Sequence, residues 1–508
     1  MLCWTHFSPL LFFTRYHQSS WTMTTVHIEH KQLLLEEERR LTEALSAVRI
    51  RINELTPVAK LPTEILELIF GFCISWLYGP RKPKFRLAWA QVCRKWRNIS
   101  LDSAHLWHCI DLCDARLANE LLIRSKTTPI SIVSASPLKS CTNNLQSHAE
   151  RLRAIDVFMF PNGMTELFTS IGSNLPNVTS LSLKTPPAST ALELDIQMPR
   201  VKRLVLNCVT VPWNACRNLT YLSLRGLAAD YSPSITQLQS IFELSPTLEF
   251  LRLEGIAPSL CPNDEATPTH IVPLHYLRKL IITTNALVIL VLLSKIAFPS
   301  TTRVQLVCPV FHDMHSLLPR DRSWTIAGIG TIRLEQRAVT FLQSGTTSWT
   351  AKSSDLSFSI TSASFSKSIL AGAHIIANLC SITSLELGMQ SLADITSEVL
   401  FNFLSQTVNL KYVHVLHNDL GDLLRILTPS QNNPGPCPRL ECMTFSMNHP
   451  AAVQWWDFNK RWVQPVLALA KTRYEHGISL TALEFRRCRG VTAHHFEGLV
   501  KDIRVLDC

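Results

Sequence analysis

The chain has 508 residues, 46% of them apolar and 17% charged, with 49 Lys and Arg against 39 Asp and Glu for a net charge of +10. That apolar content excludes a largely disordered polymer and suits two to four ordinary domains or one elongated repeat array. The basic residues are scattered rather than gathered with aromatics on one element, so the charge does not by itself point to nucleic acid.

The first stretch, MLCWTHFSPLLFF, is apolar but lacks the basic start and small-residue cleavage site of a leader. Residues 1–30 are expected to form a poorly ordered tail, with Met23 as an alternative start. From Lys31 to Thr56 the pattern turns helical, with Pro57 as its stop. Leu34, Leu41, Val48 and Leu55 fall seven apart, and Leu45 and Ile52 fill a second seam position that Glu38 interrupts. This amphipathic seam helix, residues 31–57, has coiled-coil spacing. It is expected to pack against the chain's own neighbouring helices, with weak self-association through residues 31–56 as the alternative.

Three motifs follow. LPTEILELIF begins at Leu61, with Ile65, Leu66, Leu68, Ile69 and Phe72 at helical spacing behind Pro62. VCRKWRNISL begins at Val92 and carries Cys93 and Trp96. Leu106 and Trp107 then precede a short strand-like ending. Between the first two motifs lies a basic loop with Arg81, Lys82, Lys84 and Arg86, read as solvated. Residues 58–112 resemble an F-box, the helical module that docks a protein onto the Skp-family adaptor of a cullin ubiquitin ligase. The layout is similar to the fungal form punctuated by LPxEIL, VCRxWR and LW. The resemblance implies adaptor contacts from Leu61, Pro62, Ile65, Leu66, Ile69, Val92, Cys93, Trp96, Leu106 and Trp107. The long basic loop departs from many F-boxes.

Beyond residue 113 the unit L-x-x-L-x-L recurs. Copies stand at Val178/Leu181/Leu183, Val201/Leu204/Leu206, Leu219/Leu222/Leu224, Leu248/Leu251/Leu253 and Leu277/Leu280/Ile282. They resume at Ile382/Leu385/Leu387, Leu410/Val413/Val415, Leu440/Met443/Phe445 and Leu480/Leu483/Phe485, with weaker ones at Leu152/Ile155/Val157 and Val304/Leu306. Alternate apolar positions turn one strand face toward a common core. Asn285, Asn418, Asn448 and Cys488 stand three residues after the last apolar position, as in leucine-rich repeats, which this unit resembles. The segment near 307–380 breaks the pattern and is read either as poorly matching repeats or as a projecting hairpin.

The expected fold class is therefore α/β. A coiled-coil-like helix precedes a helical F-box, and an irregular leucine-rich-repeat solenoid of parallel strands with helical or loop returns occupies 113–508. Arg203, Tyr221, Phe250, Arg252, Arg278, Lys279, Tyr412 and His414 lie on repeat strands at positions facing away from the leucines. They sketch a basic, aromatic-dotted surface for a protein substrate with acidic or phosphorylated groups.

Signals for chemistry are weak. No G-x-S-x-G, H-E-x-x-H, P-loop or G-x-G-x-x-G occurs, so no enzyme activity and no cofactor are expected. Cys308, His312 and His315 have superficial metal spacing but no second ligand pair, so no metal is expected either. Fifteen cysteines, an odd number without regular spacing, suit a reducing compartment, cytoplasm and/or nucleus. No apolar run reaches membrane length. The expected role is a substrate-recognition adaptor that binds a Skp-family adaptor, and through it a cullin, at one end and a substrate protein at the other. A scaffold without ligase recruitment is the rival.

Overall fold

The computed structural model describes residues 21–77, 89–134, 145–186, 191–258, 270–309, 314–319, 329–335, 338–343, 356–362, 367–388, 395–416, 420–430, 435–446, 456–458 and 461–506. The basic loop, Asn418, Asn448 and His312 lie outside them. Two compact units result, Met1–His108 with Ile123–Thr128, and Cys109–Leu122 with Pro129–Cys508.

The first unit opens with α1, Trp21–Glu54, a helix that begins ten residues before the predicted Lys31. Residues 21–30, expected to be tail, are helical. Pro57 stops the helix because the residue before a proline is pushed out of the helical region, and Thr56 is extended. The seam does not behave as expected. Leu34, Leu41, Leu45, Val48, Ile52 and Leu55 are 50–81% exposed, so they do not pack against the chain's own helices. A turn, Pro57–Lys60, leads to α2, Thr63–Leu77. A second turn, Trp89–Gln91, precedes α3, Arg94–Asp102, and a third, Ala104–Trp107, closes the unit's main run.

In the second unit, seventeen strands among the described residues form one continuous sheet. From one end the neighbours are Cys109–Asp111, Ile130–Val133, Leu152–Phe158, Ser180–Lys184, Arg203–Asn207, Tyr221–Leu227, Phe250–Ile256, Lys279–Thr283 and Arg303–Cys308, all parallel and in chain order. The far end continues in chain order through Ser384–Leu387, Tyr412–Leu416, Cys442–Ser446, Ala482–Arg486 and Asp502–Leu506. Parallel neighbours need crossovers. Helices such as Pro161–Ile171, Ile235–Glu243, Ala286–Lys295, Ser397–Gln406 and Val463–Glu475 supply them.

The repeated apolar unit explains the sheet's cohesion. Ile155, Leu181, Leu204, Leu222, Leu251, Leu280 and Val304 stand opposite one another across seven strands, and all are buried. Each first position, from Leu152 to Leu480, is buried as well, where the chain enters its strand. Asn285 accepts from the Val288 N–H at 2.9 Å and caps the helix Ala286–Lys295.

The described strands of the irregular segment belong to the sheet itself. They join it in reversed chain order. Leu356–Ser362 pairs in parallel with Arg303–Cys308, Ala338–Gln343 runs antiparallel beside it, and Ile329–Glu335 lies antiparallel to that and parallel to Ser384–Leu387. The central strand, AVTFLQ, went unread in the sequence, although Val339 and Phe341 alternate and are both fully buried. Register also places Arg333 opposite Glu386, and the two make a buried ion pair at 2.6 Å that ties the meander to the resuming parallel strands. Removing either partner would strand a buried charge, so the pair fixes this junction.

Candidate protein-docking surfaces

α2 is apolar almost all round, and its two faces have different fates. One face builds the core. Leu66 and Phe70 are buried with Trp89, Ile99, Leu106 and Trp107. Phe70 stacks on Trp89 at 6.3 Å and meets Trp96 at 5.0 Å. The Trp107 indole N–H donates to the Ser100 carbonyl at 2.6 Å, which satisfies the one polar atom of a fully buried ring. The Arg124 guanidinium lies over the same ring at 5.0 Å. Cys93 caps α3 through its sulfur, which accepts from the Trp96 N–H at 3.5 Å.

The other face of α2 is open. Ile65 (41% exposed), Leu68 (58%), Ile69 (38%) and Phe72 (71%) follow the i, i+3, i+4, i+7 spacing of one helical stripe. Pro62 is exposed at its start and Leu61 is half-buried. Val58 and Val92 are further exposed aliphatics of the same unit. This geometry divides the ten predicted adaptor-contacting residues. Leu61, Pro62, Ile65, Ile69 and Val92 reach the surface, while Cys93 and Trp96 are partly buried in the α3 start. Leu66, Leu106 and Trp107 are corrected to core residues, since side chains at 0–4% exposure leave nothing for another protein to cover. Leu68 and Phe72 were missed as surface residues. Their spacing was visible, but which side of an all-apolar helix faces out was not.

On the second unit's sheet, four predicted substrate-contacting residues come together. Arg203, Tyr221, Phe250 and Lys279 stand directly opposite one another on adjacent parallel strands. The Arg203 guanidinium lies 3.6 Å from the Tyr221 ring centroid. Tyr221 and Phe250 stack at 4.1 Å with rings 1° from parallel, and the Lys279 ammonium lies 6.0 Å from Phe250. A cation therefore flanks each end of an aromatic pair, an arrangement each ring quadrupole favours. Arg303 extends the row on the next strand. Its offset, one residue before Val304, matches that of Arg203 before Leu204 and was a missed signal.

The other four are placed differently. Arg252 and Arg225 share Glu254, at 2.6 and 3.0 Å, and Arg278 pairs with Glu249 at 3.6 Å, so their charge is partly answered. Tyr412 is exposed but lies seven strands beyond Phe250, roughly 34 Å along the sheet at ~4.8 Å per strand. His414, read as a substrate contact, is part-buried and neutral rather than an open contact residue. Burial, with Arg486 and Arg333 adding repulsion, pushes its imidazole down to about 4, and its Nε2 is 2.7 Å from the Ser446 hydroxyl.

Among the described residues no cluster of three or more His, Cys, Asp or Glu is placed to hold a metal, and Cys308 is buried at a strand end. Burial pushes the Cys437 thiol up to about 11 and those of Cys216 and Cys488 up to about 12, which disfavours their thiolates. Among the described residues no helix is long and apolar enough to cross a membrane.

Residues 58–113 match the F-box-like family. The matched span contains α2, α3 and the Trp107 core. No curated protein matches the chain.

Proposed function

We propose that this protein is a substrate-recognition adaptor of a Skp–cullin–F-box ubiquitin ligase. The observation that carries the proposal is the F-box-like match at residues 58–113, on a unit whose α2 presents an open apolar stripe. Ile65, Leu68, Ile69 and Phe72 form the anchor set for a Skp-family adaptor, with Leu61, Pro62 and Val92 around them. Aliphatic and aromatic side chains at the centre of an interface carry most of its affinity. F-box proteins are generally non-catalytic, and this chain works in the same way, raising the local concentration of a substrate's lysines near the conjugating enzyme. It acts in the cytoplasm and/or nucleus.

The second unit is read as an irregular leucine-rich-repeat solenoid, supported by its in-register buried apolar rows. Its Arg203–Tyr221–Phe250–Lys279 ladder receives a protein segment bearing acidic or phosphorylated groups. Co-purification of the full chain with a Skp-family adaptor and a cullin tests the ligase assignment. Recovery of neither, with the α2 stripe unmutated, would refute it. If the adaptor does not bind but partners still do, the chain is a scaffold without ligase recruitment.

A further inference from the structure

We propose that α1 is a self-association element and that two copies of this chain pair through it as an antiparallel coiled coil. This goes beyond the ligase assignment and does not rest on it. The seam repeats every seven residues at Leu34, Leu41, Val48 and Leu55, with Glu38, Leu45 and Ile52 between them. Its six apolar members are all at least half exposed. Side chains of this size and exposure leave roughly 600 Å² of seam per copy, or roughly 1,200 Å² for a pair, which reaches the lower edge of stable protein interfaces. Such spacing is self-complementary, since a knob at each seam position fits the hole left by the same repeat on a second helix.

Charge selects the direction. A parallel, in-register pair would set Glu38 against Glu38 of the second copy inside an apolar seam, at the cost of desolvating two like charges. Its flanking pairs would be Glu37 with Thr42 and Ala44 with Arg49, neither of which attracts. An antiparallel pair instead packs Leu45 on Leu41 of the second copy, Ile52 on Leu34, and Glu38 on Val48. Glu37 then faces Arg51 of the second copy, twice by symmetry, and Glu38 lies beside Arg49 and Arg51. The helix's own ion pairs do not oppose this. Arg39 is engaged by Glu36 and Glu43, and Arg40 by Glu37 at 3.1 Å, an exposed pair weak enough to be shared.

The test uses the full chain in sedimentation equilibrium and light scattering, reading mass against the 57.3 kDa monomer. A dimer at micromolar concentration is expected. Leu41→Asp with Leu45→Asp should weaken it at least roughly hundredfold while circular dichroism and the melting of the remaining domains stay unchanged. Glu37→Arg or Arg51→Glu alone should weaken it about threefold to tenfold, and the double exchange should restore it. A monomer at every concentration up to about 100 μM, or a dimer indifferent to the Leu41 and Leu45 changes, overturns the proposal. Single exchanges without effect overturn the antiparallel direction. A monomer whose melting falls on Leu41→Asp would mean that the seam covers the chain itself.

Discussion

Replacing Ile65 by Asp separates docking from folding. Ile65 is 41% exposed, so a partner covering it would remove roughly 70 Å² of apolar surface, worth about 2 kcal/mol at ~25 cal/mol per Å². A carboxylate in the same contact adds a desolvation penalty of about 2–3 kcal/mol. The sum, about 4–5 kcal/mol, weakens adaptor binding on the order of a thousandfold. Folding should not suffer. Ile65 is the third residue of α2, whose first turn already carries Glu64, and a negative charge there complements the helix dipole. Titration calorimetry against a purified Skp-family adaptor, with thermal melts in parallel, reads both quantities. A variant that binds within threefold of the parent, with its melt intact, would refute the assignment of this face.

The remaining predictions concern the neighbouring face and the sheet. Leu66→Ala, one residue along and fully buried, should cost about 2–5 kcal/mol of stability to the F-box unit. Its surviving folded fraction should bind the adaptor at parental affinity, and an unchanged denaturant midpoint would contradict the burial. Tyr221→Ala with Phe250→Ala should reduce capture of an acidic or phosphorylated protein segment by about tenfold or more by removing the surface that holds Arg203 and Lys279. Unchanged capture would remove the ladder from the substrate surface. His414 sets a pH dependence. Its folded value is lowered to about 4 while the unfolded chain takes up the proton near 6.5. Its contribution is therefore complete above pH 6.5 and is lost as pH falls toward 4, about 2–3 kcal/mol by pH 4.5. Denaturant melts at pH 7.5 and 4.5 should show His414→Gln losing less than the parent by that amount, and equal losses would refute the burial effect.

Periodicity was legible in the residues. Seven-residue spacing marked α1, helical spacing marked α2, and the recurring L-x-x-L-x-L placed eleven of the sheet's seventeen described strands on a common core, because period alone tells which side chains share a face. Two kinds of fact needed the folded chain. The outward face of α2 depends on Phe70 finding Trp89 and Trp96, contacts made from about twenty residues away, so Leu66 and Ile65 were indistinguishable as letters and opposite in burial. The reversed strand order between Arg303–Cys308 and Ser384–Leu387 likewise arises from pairings that no local pattern encodes, with Arg333 and Glu386 meeting 53 residues apart. Side-chain period is set by backbone geometry and belongs to a segment alone. Burial and strand order are set by which distant segments compete for the same surface, and only tertiary packing decides that competition.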